Sequence, residues 1–443
     1  MEKILSLQSM ALNSIDLTLN YFKTIVIKSK AGWGYRQFLD DIKENEHYIG
    51  LFGTCCGVNT LLCCGETKNT EIIKNLCEFI INQENEINKL LYGKSTNSKF
   101  SITNRINYTL MALGNADYTL RGKIVDQGIL WLSRNMIKDI GWGFFSGENI
   151  GRTSPTANAI RALSHFNKKI DPKLLKNATN CIINLRNEDN GWGQHYKDNS
   201  TIAHTSLSII SLIESGFHDQ LKIIQDSIEF LINRLDLVEN SSITEFFYFP
   251  TGEDSNDSLA RFYHLPTLSL LTICLLTCQF YPTDKRIKGL VKGIIDNQSP
   301  KGFWQDDSVP RKIPIWATMY SIIALRKFVD AVDNVKDQLL IKEEIARNNL
   351  VIINNRKKIE IIEDKVRYFE KHIDPLLKLI NSFVRYKLLI LYILLTVILI
   401  SLALIFDWNK YMEIGVIILS SIITFSELLK SINSKNKDRE NGQ

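Results

Sequence analysis

Six short apolar segments in this chain share one frame, and that internal repetition restricts the fold more than any other feature. SPTANAIRAL (154–163), AHTSLSIISL (203–212) and WATMYSIIAL (316–325) each carry a Thr followed seven positions later by Leu. HLPTLSLLTIC (264–274), FGTCCGVNTL (52–61) and NRINYTLMAL (104–113) fit the same frame, with Cys274 in place of the Leu. Aligned on Thr54, Ile106, Thr156, Thr205, Thr267 and Thr318, the spacings are 52, 50, 49, 62 and 51 residues. A unit of this length holds two helices and their turns. Alone it cannot bury its apolar face, so neighbouring units must stack.

Each anchored segment is apolar nearly all round, as expected for a helix enclosed by protein on every side. Between these segments lie amphipathic stretches at 70–82, 123–135, 172–185, 221–235 and 285–296, with 13–27 as the sixth. Their apolar residues recur at three and four, for example Ile129, Leu132 and Met136, which predicts helices with one wet face. Gly32-Trp33-Gly34, Gly141-Trp142-Gly143, Gly191-Trp192-Gly193 and Gly302-Phe303-Trp304 fall at the turns from outer to inner helix. In four repeats an aromatic residue (Tyr92, Trp142, Trp192, Trp304) precedes the anchor by 13 or 14 positions. Glycine permits the tight path and the ring seals the gap between helix pairs, so Trp33, Trp142, Trp192 and Trp304 are expected to pack rather than bind.

This pattern resembles the terpenoid cyclase and protein prenyltransferase α/α-toroid superfamily, whose repeats also join outer to inner helices through Gly-Trp or Gly-Phe turns. The resemblance covers about residues 13–330 and implies an all-α fold. Its core would be an (α/α)6 toroid of six helix-pair repeats over residues 1–330. An open solenoid of the HEAT type is the competing architecture, and the Gly-aromatic turns favour closure.

Activity does not follow from the fold. The resemblance implies an Asp-x-Asp-Asp acid in the cyclases, and no such motif is present. The adjacent pair Asp306 and Asp307, in GFWQDDS, reads as a solvated turn tip. The prenyltransferases bind zinc through Asp-x-Cys at one inner-helix start and a His at a later one. RFYHLPTLSLL (261–271) resembles that Tyr-His helix start and puts His264, after Tyr263, on the ligand position. The preceding repeat, Asn199 to His204, has no cysteine, and Ile315, beside Trp316, stands at the corresponding later position. One ligand of three makes no zinc site, so no metal or cofactor is expected. Cys56-Gly57-Val58-Asn59 and Cys64-Gly65-Glu66-Thr67 resemble the Cys-Gly-x-Gln of thioester domains but lack the Gln. The eight cysteines form no CxxC pair and no signal peptide opens the chain, which predicts free thiols in a reducing cytoplasm.

What remains is an apolar ring with polar and aromatic mouth loops. The insertion at 238–258 accounts for the long fourth spacing and contains Phe246, Phe247, Tyr248 and Phe249. Phe247, Tyr248, Tyr263, His264, Asp306, Asp307 and Trp316 are therefore the candidate ligand contacts, for a hydrophobic small molecule or a peptide. A net charge of +5 without a dense basic stretch gives no nucleic-acid surface.

After Asp330 the composition turns to charged helix. Residues 331–386 are read as a coiled-coil stalk, with Ile, Ile, Ile, Val, Ile and Ile at 345, 352, 359, 366, 373 and 380. Three residues on, the second row reads Asn, Asn, Ile, Phe, Leu and Phe, which predicts homo-oligomer contacts over 345–383. A single long helix folded back on the toroid is the alternative. Residues 387–429 are read as a transmembrane hairpin: 388–406 has no charge, and 411–429 carries Glu413 and Glu427 near its ends. Basic residues flank both outer sides, which puts the toroid and the basic tail, 430–443, on the cytoplasmic face of an inner membrane.

Together these features suggest a ligand-binding or sensing toroid coupled through an oligomerising stalk to a membrane hairpin. The layout resembles that of prokaryotic defence effectors that damage the inner membrane. A membrane-associated enzyme on an isoprenoid or other lipid is the alternative, and an anchored scaffold the third reading. The missing acid motif and the incomplete zinc set weigh against an enzyme.

Overall fold

The computed structural model describes residues 2–29, 32–33, 36–38, 50–82, 102–118, 123–216, 221–239, 245–249, 261–264, 266–304 and 312–380. Within them the even-numbered helices are enclosed: α2 (Leu51–Cys63), α4 (Ile102–Asn115), α6 (Thr153–Ser164), α8 (Ile202–Glu214), α10 (Thr267–Thr277) and the start of α12 (Ile315–Ile380). In α8 every residue from Ile202 to Leu212 is buried. The odd-numbered helices bury one stripe: α1 (Glu2–Ser29), α3 (Glu71–Asn82), α5 (Lys123–Asn135), α7 (Pro172–Asn184), α9 (Leu221–Glu239) and α11 (Lys285–Asp296). In α11 that stripe is Ile287, Leu290, Val291 and Ile294, at the spacing of one helix face. Local chemistry sets several starts. Asp171 accepts from Lys173 N–H ahead of α7, with Pro172 in the first turn, and Asp284 does the same for Arg286 at α11.

The repeat anchors have one physical job. The backbone N–H of the turn tryptophan donates to the anchor hydroxyl: Trp33 to Thr54 (3.2 Å), Trp142 to Thr156 (3.0 Å), Trp192 to Thr205 (3.0 Å) and Trp304 to Thr318 (3.3 Å). The indole then ties back to the outer helix: Nε1 of Trp142, Trp192 and Trp304 donates to the carbonyls of Leu132, Ile182 and Ile294. Trp33, Trp142 and Trp192 are fully buried, so these N–H groups have no water to fall back on. The approach is too close for a side chain ahead of the tryptophan. A Cβ on Gly141, whose φ is +86°, would lie 2.3 Å from Thr156 Oγ1.

Two inner helices, α4 and α6, also lean on the following repeat. Thr103 N–H donates to Phe144 O and Thr153 N–H to Gln194 O, each acceptor lying just past the next turn tryptophan. These bonds satisfy the orphan donors at the helix N-termini. In sequence order the inner helices pack as α2–α4–α6–α8–α10, and Ser269 of α10 meets Ser321 of α12 through their hydroxyls (3.0 Å).

The last repeat returns to the first. Arg326 Nε of α12 donates to Cys63 O of α2 (2.7 Å), and α1 packs on both α2 and α11. Thr18 Oγ1 donates to Gly302 O (2.6 Å), where a Cβ would lie 2.6 Å from Leu17 O. Strand β1 (Arg36–Phe38) pairs antiparallel with β4 (Lys312–Pro314), Gln37 opposite Ile313. A closed ring of six helix pairs results, not an open solenoid.

Three sequence expectations need correction. The first outer helix begins at Glu2, not at residue 13, because Ile4, Leu7 and Ala11 continue its buried stripe and Gln8 bonds Val329 and Asp333. The insertion at 238–258 contributes a strand, β2 (Phe246–Phe249), paired with β3 (Arg261–His264). His264 accordingly ends a strand instead of opening a helix; α10 starts at Thr267 behind Pro266, whose ring disfavours helix in the residue before it. The all-α reading thus holds apart from short strands.

Two compact units divide the chain, Met1–Leu340 and Ile341–Gln443. The first extends past Asp330 because Val332 is buried and Lys336 bonds Gln8 Oε1 (2.6 Å). Helix is continuous from Ile315 to Ile380, through Pro375. No helix among the described residues is long and apolar enough to cross a membrane; the hairpin read at 387–429 and the tail at 430–443 lie outside them.

Removing one anchor hydroxyl strands a buried N–H. Thr205→Val, nearly isosteric, should therefore cost about 1–3 kcal/mol in denaturant melts of the full chain. Trp192→Ala, which also opens a cavity, should cost about 3–5 kcal/mol. Losses below about 0.5 kcal/mol for both would mean that the turns do not hold the repeats together.

Candidate functional site

Two residues past the anchors the structure buries Cys56, Tyr108, Asn158, Leu207, Ser269 and Tyr320. Tyr108 and Tyr320 hydroxyls meet at 2.9 Å, joining α4 to α12 although α2 lies between these helices in the ring. Phe52 of α2 packs against Tyr108 with ring centroids 4.7 Å apart. Burial, then the neighbouring phenol, pushes the Tyr108 pKa well up, and burial raises that of Tyr320 against the pull of Arg161. Both stay protonated.

Arg161, one turn further along α6, donates from Nε to Glu214 Oε2 of α8 (2.7 Å). Burial opposes its charge, but the Glu214 carboxylate outweighs burial and raises the pKa. The guanidinium is therefore fixed as a cation beside a phenol pair.

Toward the helix N-termini, His204 is buried with one ring nitrogen on Thr201 Oγ1 (2.8 Å) and Nε2 without a partner. Burial lowers its pKa to about 4, so the imidazole is neutral near pH 7. Glu245, ahead of β2, takes the role that a turn carbonyl plays elsewhere. Its two oxygens accept from Ile202 N–H (2.7 Å) and Ala203 N–H (2.8 Å), and one also accepts from Thr267 Oγ1 (3.2 Å). Burial raises its pKa, and the three donors oppose the rise. Thr267 therefore binds a carboxylate where the other anchor threonines bind a tryptophan N–H.

The residues read as ligand contacts are only partly brought together. Phe247 stands opposite Tyr263 and Tyr248 opposite Phe262 across the β2–β3 pair, while His264 faces Phe246. Trp316 is buried one turn before Tyr320, and its indole N–H has no hydrogen-bond partner. Asp306 and Asp307 lie outside the described residues. Trp33, Trp142, Trp192 and Trp304 are packing residues. Tyr108, Tyr320, Arg161, Glu214, His204 and Glu245 were not singled out by sequence. The repeat frame could have found the tyrosines, since both sit two positions past an anchor.

Chemically, the enclosed helices offer protonated phenols, a fixed guanidinium and a neutral imidazole. None of these titrates near neutrality, so the set suits hydrogen bonding better than proton transfer. Among the described residues no three His, Cys, Asp or Glu side chains gather as metal ligands. All eight cysteines are free; burial pushes Cys55 and Cys77 up to about 12 and Cys63 to about 11, which leaves these three poor nucleophiles.

No protein-family model and no curated protein matches the chain. Among solved structures it is similar to an unsaturated glucuronyl hydrolase from Bacillus sp. GL1, at 13% identity over 72% of this chain and 96% of that one, TM-score 0.47. It is also similar to a variant of the type II terpene cyclase MstE from Scytonema, at 11% identity over 72% and 99%, TM-score 0.44. A third is a family 76 glycoside hydrolase from a bovine Bacteroides thetaiotaomicron strain, at 12% identity over 71% and 77%, TM-score 0.45. Likeness at this level carries no statement about substrate or reaction.

The lowered pKa of His204 sets a pH dependence. The neutral form is favoured by folding, so its contribution is full above the ordinary value of 6.5 and is lost as pH falls through about 4. Over that window the chain should lose on the order of 3 kcal/mol from this group. His204→Gln should flatten the pH 7 to pH 4 slope in urea melts. An unchanged slope would show that His204 protonates freely in the folded ring.

Proposed function

We propose that the ring is a binding or sensing module, coupled through α12 to self-association and to a membrane hairpin at 387–429. The observation that carries this reading is the single helix Ile315–Ile380. One end holds Trp316 and Tyr320 inside the ring. The other carries Ile345, Ile352, Ile359 and Val366, each 48–53% exposed. An apolar row of this length on a solvated helix is stabilised by association, at ~25 cal/mol per Å² buried. A hairpin of two helices cannot line a pore alone, so a membrane effect needs several copies. Ligand binding at the ring mouth, near Trp316 and the β2–β3 pair, is the input in this scheme; a hydrophobic small molecule or a peptide suits the aromatic character. The membrane in question is the inner one, with ring and tail on the cytoplasmic side, as in a defence-type effector.

A second reading, an enzyme acting on an isoprenoid or other lipid, draws on the aromatic set Phe52, Tyr108, Trp316 and Tyr320. Product formation from isoprenoid diphosphates would favour it.

The full-length protein in detergent should be larger than a monomer by light scattering. Replacing Ile359, Ile362 and Val366 together with Asp should leave the ring folded and return the protein to a monomer. Expression of the intact chain should be toxic, and removal of 388–429 should abolish the toxicity. A wild-type monomer in detergent would reduce the long helix to a tether and end the sensing-and-assembly reading.

A further inference from the structure

The long helix specifies the direction in which copies associate. Taking Ile345, Ile352, Ile359 and Val366 as the first core row puts Asn348, Asn355, Ile362 and Phe369 on the second. Both rows lie on continuous helix; Ile345, Ile352, Ile359, Val366 and Phe369 are 48–55% exposed. The positions that flank such a seam are then Val351, Lys358 and Lys365 on one side and Arg356, Glu363 and Glu370 on the other.

In a parallel, in-register pair each flanking residue of the first kind meets the residue five positions later on the second copy. Lys358 then meets Glu363 of the second copy, and Lys365 meets Glu370, each contact occurring twice by symmetry. Val351 falls opposite Arg356, which is electrostatically neutral. In an antiparallel pair each flank meets its own kind, so lysines face lysines, while Glu363 and Glu370 face each other or Arg356. The asparagines point the same way. A parallel register sets Asn348 and Asn355 each opposite itself, where two carboxamides can bond. An antiparallel one sets them against isoleucine or valine of the first row and strands their polar atoms.

We infer that this surface takes a second copy of the same chain, parallel and in register, with Lys358–Glu363 and Lys365–Glu370 as the contacts that select the orientation. The inference rests on the self-association proposed above and adds its geometry.

The test uses the full-length protein in detergent, with mass by light scattering across a dilution series. Lys358→Glu with Lys365→Glu should raise the dissociation midpoint roughly tenfold, since four attractive contacts become repulsive. Glu363→Lys with Glu370→Lys should do the same, and the four changes together should restore the midpoint to within about twofold. In a second readout, Asn348→Cys should form a symmetric disulfide dimer under mild oxidation, which the wild type, with its native thiols, should not. Assembly that ignores both charge reversals and leaves Asn348→Cys uncrosslinked would overturn the parallel arrangement and keep self-association. A wild-type monomer at every concentration would overturn both.

Discussion

At the head of four inner helices, a threonine hydroxyl accepts the backbone N–H of a tryptophan from the preceding turn. The rest of the ring depends on this bond, because it fixes where the outer helix ends and the inner one begins. The tryptophan must be buried to seal the gap between helix pairs, and burying it buries its amide. An unpaired amide there would cost about 1–3 kcal/mol per repeat. The connection leading to the anchor can vary, as Trp33 lies further from Thr54 than Trp192 does from Thr205, yet the contact persists. Where the turn tryptophan is missing, Glu245 caps α8 and takes the Thr267 hydroxyl. The same donors are satisfied by a different acceptor.

That dependence explains what could be read from the sequence. Threonine recurs at the anchors because a hydroxyl is needed, and glycine precedes Trp33 and Trp142 because a Cβ would strike that hydroxyl; before Trp192 a Cβ would strike Ser200 and Phe230. Periodicity marked the outer helices, with 123–135 and 285–296 reproduced residue for residue. The start of α1 was missed because Gln8 interrupts the apolar stripe; its amide is satisfied by Val329 and Asp333, partners more than three hundred residues away. No local pattern carries that information. The β2–β3 pair was missed for a related reason: four consecutive aromatics do not alternate, so the period of a strand was absent. His264 followed from a resemblance at the helix start, and Pro266 displaced that start to Thr267.

The axis was the least legible part. Tyr108 and Tyr320 are far apart in sequence and meet only because six repeats close on themselves. Their bond braces helices that are not neighbours in the ring, while the Arg161–Glu214 pair ties the adjacent α6 and α8. A ring braced in this way is a rigid frame, and rigid frames suit recognition by loops at their mouths. Helix α12 belongs to that frame at Tyr320 and carries the exposed apolar row further along. Both a sensing role and a lipid-directed enzyme would draw on the frame, while the exposed row is used only by the first.

Amide hydrogen exchange tests closure most directly. In an open stack the terminal repeats fray first, and protection is graded toward the middle. A closed ring predicts that the amides of Trp33 and Trp304, in the first and last repeats, exchange as slowly as those of Trp142 and Trp192, all through one cooperative opening. Exchange of Trp33 and Trp304 faster by more than about a hundredfold, with Trp142 and Trp192 still protected, would contradict the ring.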